Sequence, residues 1–186
     1  MDPRMKVALF ALKKLEDLER SGRLRGDLEP IKHKLKSLEW IDDIEYLRTE
    51  SKSMVKLDSS KFRYDERQKM LVKWCFEAIN KLPEKFMRDG SNSILLGLDC
   101  ALGEILSVRK LEHGLTVCRI TSKLGKLTII TNMKVKKGEK LFFCILPPAE
   151  FQDIISEAMF VSGPINSLNE VNWKAIEGKV SEVLMS

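Results

Sequence analysis

Apolar residues recur at three- and four-residue steps through the first half of the chain and gather into short runs in the second. The first pattern predicts amphipathic helices and the second predicts strands. Asp2-Pro3 opens a helix, a capping side chain followed by proline at the first helical position. Val7, Ala8, Ala11, Leu15 and Leu18 form its apolar face, Lys13, Lys14, Glu16, Asp17 and Glu19 its polar face, and Ser21-Gly22 ends it. Asp27 caps a second helix on Leu28, Ile31, Leu35 and Leu38, and Trp40, Ile41, Ile44 and Leu47 continue the pattern after a break near Ser37. Residues 49–63 are polar and lysine-rich, with Asp58-Ser59-Ser60 as a cap region. A third helix carries Met70, Leu71, Trp74, Cys75, Ala78, Ile79 and Leu82 on one stripe, and Pro83 closes it. Trp40 and Trp74 lie on apolar stripes and read as core or interface anchors.

The small polar run at 88–93 marks a boundary, after which the period changes. Ile94–Leu98 leads into strands at Gly103–Leu111, Leu115–Thr121, Lys126–Thr131, Lys140–Leu146 and Glu157–Ser162. Gly103 permits a sharp bend, Pro147-Pro148 forbids continuation of the fourth strand, and 135–138 forms a lysine-bearing loop. Trp173, Ile176, Val180 and Val183 place a helix at 172–184. The expected fold is therefore α+β: a helical region at 1–90, then a five-stranded OB-fold β-barrel with a C-terminal helix at 91–186.

Charge shifts this picture only slightly. The formal net charge of the 186 residues is +5, and residues 1–90 hold 21 − 17 = +4 of it against 11 − 10 = +1 in 91–186. The sign favours acidic partners. Arg20, Arg23 and Arg25 surround a helix end, and Lys32, Lys34 and Lys36 sit close together; a phosphate-binding patch and a solvated helix face both fit. The glycines form no phosphate loop, no serine stands in a nucleophile-elbow setting, and Asp42-Asp43 sits on a helical pattern, so no enzymatic activity is expected. Cys75, Cys100, Cys118 and Cys144 form no C-x-x-C pair, and His33 and His113 stand far apart, so neither metal nor cofactor is expected. Cys118 and Cys144 read as small core residues with reduced thiols. His113 reads as a turn residue. The run Val7–Leu12 followed by Lys13-Lys14 is not a signal peptide, and Leu141–Ala149 is too short to cross a bilayer, so a soluble cytoplasmic protein with no membrane partner is expected.

Within 98–163, Gly103-Glu104-Ile105-Leu106, Leu115-Thr116-Val117, Ile130-Thr131-Asn132, Lys137-Gly138-Glu139-Lys140 and Ser156-Glu157-Ala158-Met159 follow one another, with Leu146, Pro148 and Ala149 between the last two. This order and spacing resembles the tRNA-binding domain family, an OB-fold barrel found at the end of many methionyl-tRNA synthetases, in the bacterial phenylalanyl synthetase β-subunit and in free-standing tRNA-binding proteins. The resemblance spans about a third of the chain. It implies a non-catalytic translation protein that binds structured RNA, tRNA first, alongside an aminoacyl-tRNA synthetase, and a homodimer formed through segments flanking the barrel. The expected RNA contacts are Arg109, Lys110 and Arg119 near the first turn, and Lys123, Lys126, Lys134, Lys136 and Lys137 around one rim. Asn132, Ser156 and Met159 join them, the small residues of the closing strand allowing close approach. The chain departs from the family where basic residues are usual: Ile145, Pro147, Glu150, Gln152 and Asp153 replace its Asn, Lys, Lys, Arg and Gly, and Glu157 replaces its Gln. Carboxylates there oppose phosphate binding. The alternative expectation is an interaction or dimerisation module whose barrel no longer binds RNA, with the lysines serving solubility and edge protection.

Overall fold

The computed structural model describes residues 1–90 and 93–185. Ser91 and Asn92, within the boundary segment read from sequence, lie outside the described residues, as does Ser186. The chain forms two compact units, Met1–Leu98 and Asp99–Ser186, and the architecture is α+β.

The first unit opens with α1 (Pro3–Arg20), where the Asp2 carboxylate accepts the Arg4 amide at 2.8 Å. That bond satisfies one of the amides a helix start leaves free. Met5, Ala8, Ala11, Leu12, Leu15 and Leu18 are buried along its apolar face. Gly22, at φ +71°, terminates it, and the Arg23 amide reaches back to the Leu18 carbonyl at 2.9 Å. The short strand β1 (Leu24–Arg25) follows, then α2 (Glu29–Leu38) and α3 (Ile44–Ser51). The break between these helices lies at 39–43, later than the one read near Ser37, because Asp43 caps α3 by accepting from the Glu45 and Tyr46 amides. Trp40 falls in this break and is 73% exposed, so it is not the core anchor its place on the stripe suggests.

β2 (Arg63–Tyr64) pairs with β1, and α4 (Lys69–Asn80) and α5 (Leu82–Phe86) complete the helical set. Pro83 does not close α4. The helix ends at Asn80, and Pro83 sits in the first turn of α5, where its missing amide costs nothing. Trp74 does anchor the core, edge-on to Phe10 with ring centroids 6.1 Å apart. Residues 94–97 form a 3₁₀ turn against α1, and the buried Lys85 ammonium donates to the Gly97 carbonyl at 2.6 Å.

The second unit is built on β3 (Asp99–Lys110), β4 (Thr116–Ser122), β5 (Gly125–Thr131), β6 (Lys140–Ile145) and β9 (Met159–Pro164), with the hairpin β7 (Ala149–Phe151) and β8 (Ile154–Ser156) between β6 and β9. The five-stranded sheet runs β5-β4-β3-β6-β9, antiparallel throughout. Ala101, Ile105, Cys118, Ile120, Ile129, Leu141, Phe143, Ala158 and Phe160 form its core. Gly103 leaves room in that core: a β-carbon there would lie 2.8 Å from Ile120 Cδ1 and 3.0 Å from the Phe143 ring. The bend falls slightly further on, where the β3–β4 register shifts between Ile105 and Ser107.

The closed barrel expected from sequence is not what the backbone ladders form. Among the described residues no ladder joins the edge strands β5 and β9. Among the described residues three hydrogen bonds instead tie β5 to the 156–157 segment that precedes β9, two of them accepted by side chains: Glu157 N to Thr128 O at 2.9 Å, Thr128 N to Glu157 Oε2 at 2.8 Å, and Ile130 N to Ser156 Oγ at 3.0 Å. The hairpin β7–β8 was not foreseen. Its turn residues Gln152 and Asp153 both adopt positive φ, 50° and 63°, the two-residue geometry that matches strand twist.

The α6 helix (Trp173–Met185) packs against β9, burying Ile176, Val180 and Leu184, with Trp173 edge-on to Phe142 at 5.1 Å. Those three residues are thus covered within the second unit, while Trp173 stays 44% exposed. Cys144 is indeed buried, but it is not a reduced thiol: it is joined to Cys100 in a disulfide. The β3–β6 register makes the two direct partners, with Cα atoms 4.1 Å apart. Among the described residues no helix is long and apolar enough to cross a membrane.

Candidate nucleic-acid interface

Because side chains alternate across a strand, register alone sorts the predicted contact residues by face. Ile105, Cys118, Ile120 and Ile129 point inward. Arg119 therefore projects outward, between its cross-strand partners Ser107 and Thr128. Arg109 shares that outer face opposite Val117, and Lys126 shares it opposite Thr121. All three are exposed. Lys110 ends β3 opposite Thr116, which in turn faces Thr131, so exposed Asn132 follows directly at the same end of the sheet.

Lys134, Lys136 and Lys137 lie on the connection from β5 to β6. Met133 and Val135 pack against the core while the three lysines stay exposed. The turn that carries Lys136 and Lys137 is fixed from both sides. Gly138 N donates to Ile105 O at 2.8 Å and Ile105 N to Glu139 O at 2.9 Å. Glu139 Oε2 accepts the Lys136 amide at 2.7 Å. A pinned backbone presents charge with little further ordering cost on binding.

The lysines do not ring one rim. Lys123 sits in the β4–β5 turn and Lys126 at the start of β5, the end away from Asn132. At about 3.3 Å per residue, Lys126 and Thr131 stand roughly 16 Å apart along the strand. The structure thus gathers Arg109, Lys110 and Asn132 at one end, Arg119 at mid-face, and Lys123 with Lys126 at the other. Among the described residues none of the eight predicted basic contacts is in an ion pair.

Ser156 and Met159 are placed differently. The Ser156 hydroxyl is buried, accepting from Ile130 N and donating to Ala158 O at 3.0 Å. It bridges strands and has no free face for a ligand. Met159 is half-buried opposite Cys144 in the β6–β9 ladder. Of the carboxylates that depart from the family pattern, Glu150 and Asp153 are exposed on the β7–β8 hairpin, but Glu157 is half-buried and bonded to Thr128. Sequence reading also passed over Lys140, exposed and opposite Glu104. Its strand-opening position in an apolar run is the signal that was there to find.

No family model and no curated protein matches the chain. Among solved structures, a MetRS related protein from Pyrococcus horikoshii matches at 17% identity over 47% of this chain and 95% of that one, with a TM-score of 0.37, a likeness too weak to carry an argument.

Proposed function

We propose that this chain is a non-catalytic RNA-binding protein whose second unit is an OB-type domain, taking structured RNA, tRNA first, beside an aminoacyl-tRNA synthetase. The observation that carries the reading is the set of exposed basic side chains, in no ion pair among the described residues, on β3–β5 and the pinned 132–139 connection. Each is a cation with no ion-pair partner to give up among the described residues, so there a phosphate replaces water and counterions. The strand order supports the OB-type assignment: β5 and β9 are the two edges, and the bridge at 156–158 brings them together. The motif order in 98–163 supports tRNA as the ligand and a synthetase as the companion. Arg119, exposed and flanked by the short side chains of Ser107 and Thr128, is the group that would meet a backbone phosphate or an unstacked base.

The test is a salt titration of tRNA binding by the full chain. Wild-type affinity falls steeply with salt, and Lys134→Glu/Lys136→Glu/Lys137→Glu flattens the log–log slope by roughly 2–3 and abolishes binding at about 200 mM salt. A wild-type chain that leaves tRNA unbound at about 50 mM salt refutes the reading and favours an interaction module.

A further inference from the structure

The basic residues grouped near the front of the sequence divide into two sets in the fold. Lys32 lies 2.8 Å from Glu16 and 3.6 Å from Glu29, Lys34 bonds Glu50 at 2.9 Å, and Arg20 pairs with Asp17. These stabilise the first unit's own surface. Arg23 and Arg25 have no ion pair among the described residues, and the fold adds a third cation that sequence separation hid, Arg63.

Arg25 and Arg63 are direct partners in the β1–β2 ladder. Like charges at opposed positions destabilise a ladder, and this ribbon has only two residues per strand. The neighbouring carboxylates do not relieve it. Asp27 accepts the Glu29 amide at 3.0 Å, Asp65 accepts the Arg67 amide at 3.1 Å, and Asp17 holds Arg20. Arg23 is fixed beside the pair, its amide on Leu18 O and its carbonyl accepting from Asp65 N at 3.2 Å. A hollow of about 320 Å³ opens over Arg23, Arg25, Arg63, Tyr64 and Asp65.

Tyr64 also lines a second hollow of about 500 Å³. Its lining includes the buried side chains of Leu57, Val72 and Phe76, and Lys56 and Lys73, in no ion pair among the described residues, edge it. One wall is held by Asn80, which exchanges hydrogen bonds with the Leu57 backbone at 2.7 and 2.9 Å. Lys69 and Lys81 on the second hollow pair with Glu66 and Glu77, which leaves Arg23, Arg25, Arg63, Lys56 and Lys73 against Asp65 and Glu84, 5 − 2 = +3.

We propose that this surface of the first unit binds a single-stranded segment of RNA. The three guanidinium groups clamp successive phosphodiesters, and Tyr64 offers its ring to a base at the mouth of the apolar-lined hollow. Guanidinium forks match phosphate oxygens bidentately, and alternating cations and aromatic faces are how a single strand is held without sequence preference. An acidic peptide supplies the charge but no planar group for Tyr64 and the apolar lining. The inference goes beyond the reading above: it concerns other residues in the other unit, with the same class of ligand.

The experiment uses the full chain and a fluorescein-labelled oligouridylate of about 12 nucleotides, read by anisotropy. In Arg63→Glu, affinity drops at least about tenfold at about 50 mM salt and the salt slope flattens by about 1.4, the value for two single-strand phosphates. Thermal stability stays level or rises, because an opposite-charge pair now stands where two like charges stood. Tyr64→Leu lowers affinity and leaves the slope unchanged. A merely structural Arg63 gives the reverse, a lower Tm with affinity intact, and overturns the proposal. Should Arg63→Glu fail to fold, Arg63→Gln carries the same expectation with a slope change of about 0.7. Wild-type protein that ignores the oligouridylate, or binds labelled oligoglutamate as tightly, also overturns it. The Lys134/Lys136/Lys137 variant separates the two surfaces. If it loses RNA while Arg63→Glu binds like wild type, this inference fails and the second-unit surface stands. If Arg63→Glu loses RNA while the triple variant binds like wild type, the second-unit surface fails and this one stands.

Discussion

Replacing Ser156 by alanine separates two roles for one residue. The sequence motif places Ser156 against RNA; the fold buries its hydroxyl between β5 and β8, where it accepts from Ile130 N at 3.0 Å and donates to Ala158 O at 3.0 Å. Alanine removes both bonds and brings no replacement. Leaving a buried amide unpaired costs about 1–3 kcal/mol, and the Ala158 carbonyl adds a smaller amount, so a loss of roughly 2–3 kcal/mol is expected. For a domain of this size each kcal/mol lowers Tm by about 4–8 °C, which puts the shift at roughly 8–24 °C. The bridge is also one of three bonds that join β5 to the 156–157 segment among the described residues, so the loss is concentrated there. Thermal unfolding followed by circular dichroism gives the stability, and tRNA anisotropy well below the new Tm gives the affinity. The expected outcome is a large drop in Tm with affinity within about twofold of wild type, because no ligand-facing atom is removed. A variant that melts like wild type, or that keeps its Tm and loses affinity about tenfold, refutes the assignment of Ser156 as a bridge.

Further measurements bear on the cores of both units. Burial pushes the Cys75 thiol from its ordinary 9.0 up to about 12, against a smaller opposing pull from Lys14, and pushes Cys118 up to about 11. Both thiols should resist iodoacetamide at about pH 8 in the native protein and react after denaturation, since the thiolate is the nucleophile; rapid native labelling refutes their burial. The sign for stability follows from proton linkage: the folded state holds these protons more tightly, so this contribution is complete below 9.0 and is lost as pH rises toward about 12. Chemical denaturation between these limits checks it. Gly103→Val should cost about 1–3 kcal/mol through overpacking against Ile120 and Phe143, and an unchanged denaturation midpoint would show that the core is looser there than these contacts require.

The helices of the first unit and the strands of the second were legible because each rests on a local signal. Asp2-Pro3, the 3.6-residue stripes and the apolar runs of β5 and β6 need no distant partner to be read. Local reading failed where an element's environment lies elsewhere in the chain. Trp40 has the spacing of a core residue but falls in the break that Asp43 imposes. Pro83 can close one helix or open another, and only the end of α4 at Asn80 decides between them. The disulfide depends on β3–β6 register, which places Cys100 opposite Cys144 across a sequence separation of 44.

The candidate surfaces divide the same way. Sequence by itself supplied the inventory of cations and the motif order, since both are properties of the string. Tertiary structure decided which cations are free and which neighbour one another. Ion pairing withdraws Lys32 and Lys34, hydrogen bonding turns Ser156 and Glu157 inward, and a two-residue ribbon sets Arg25 beside Arg63 from almost forty positions away. Charge is written residue by residue, whereas the field it makes depends on distances that exist only once the chain has folded.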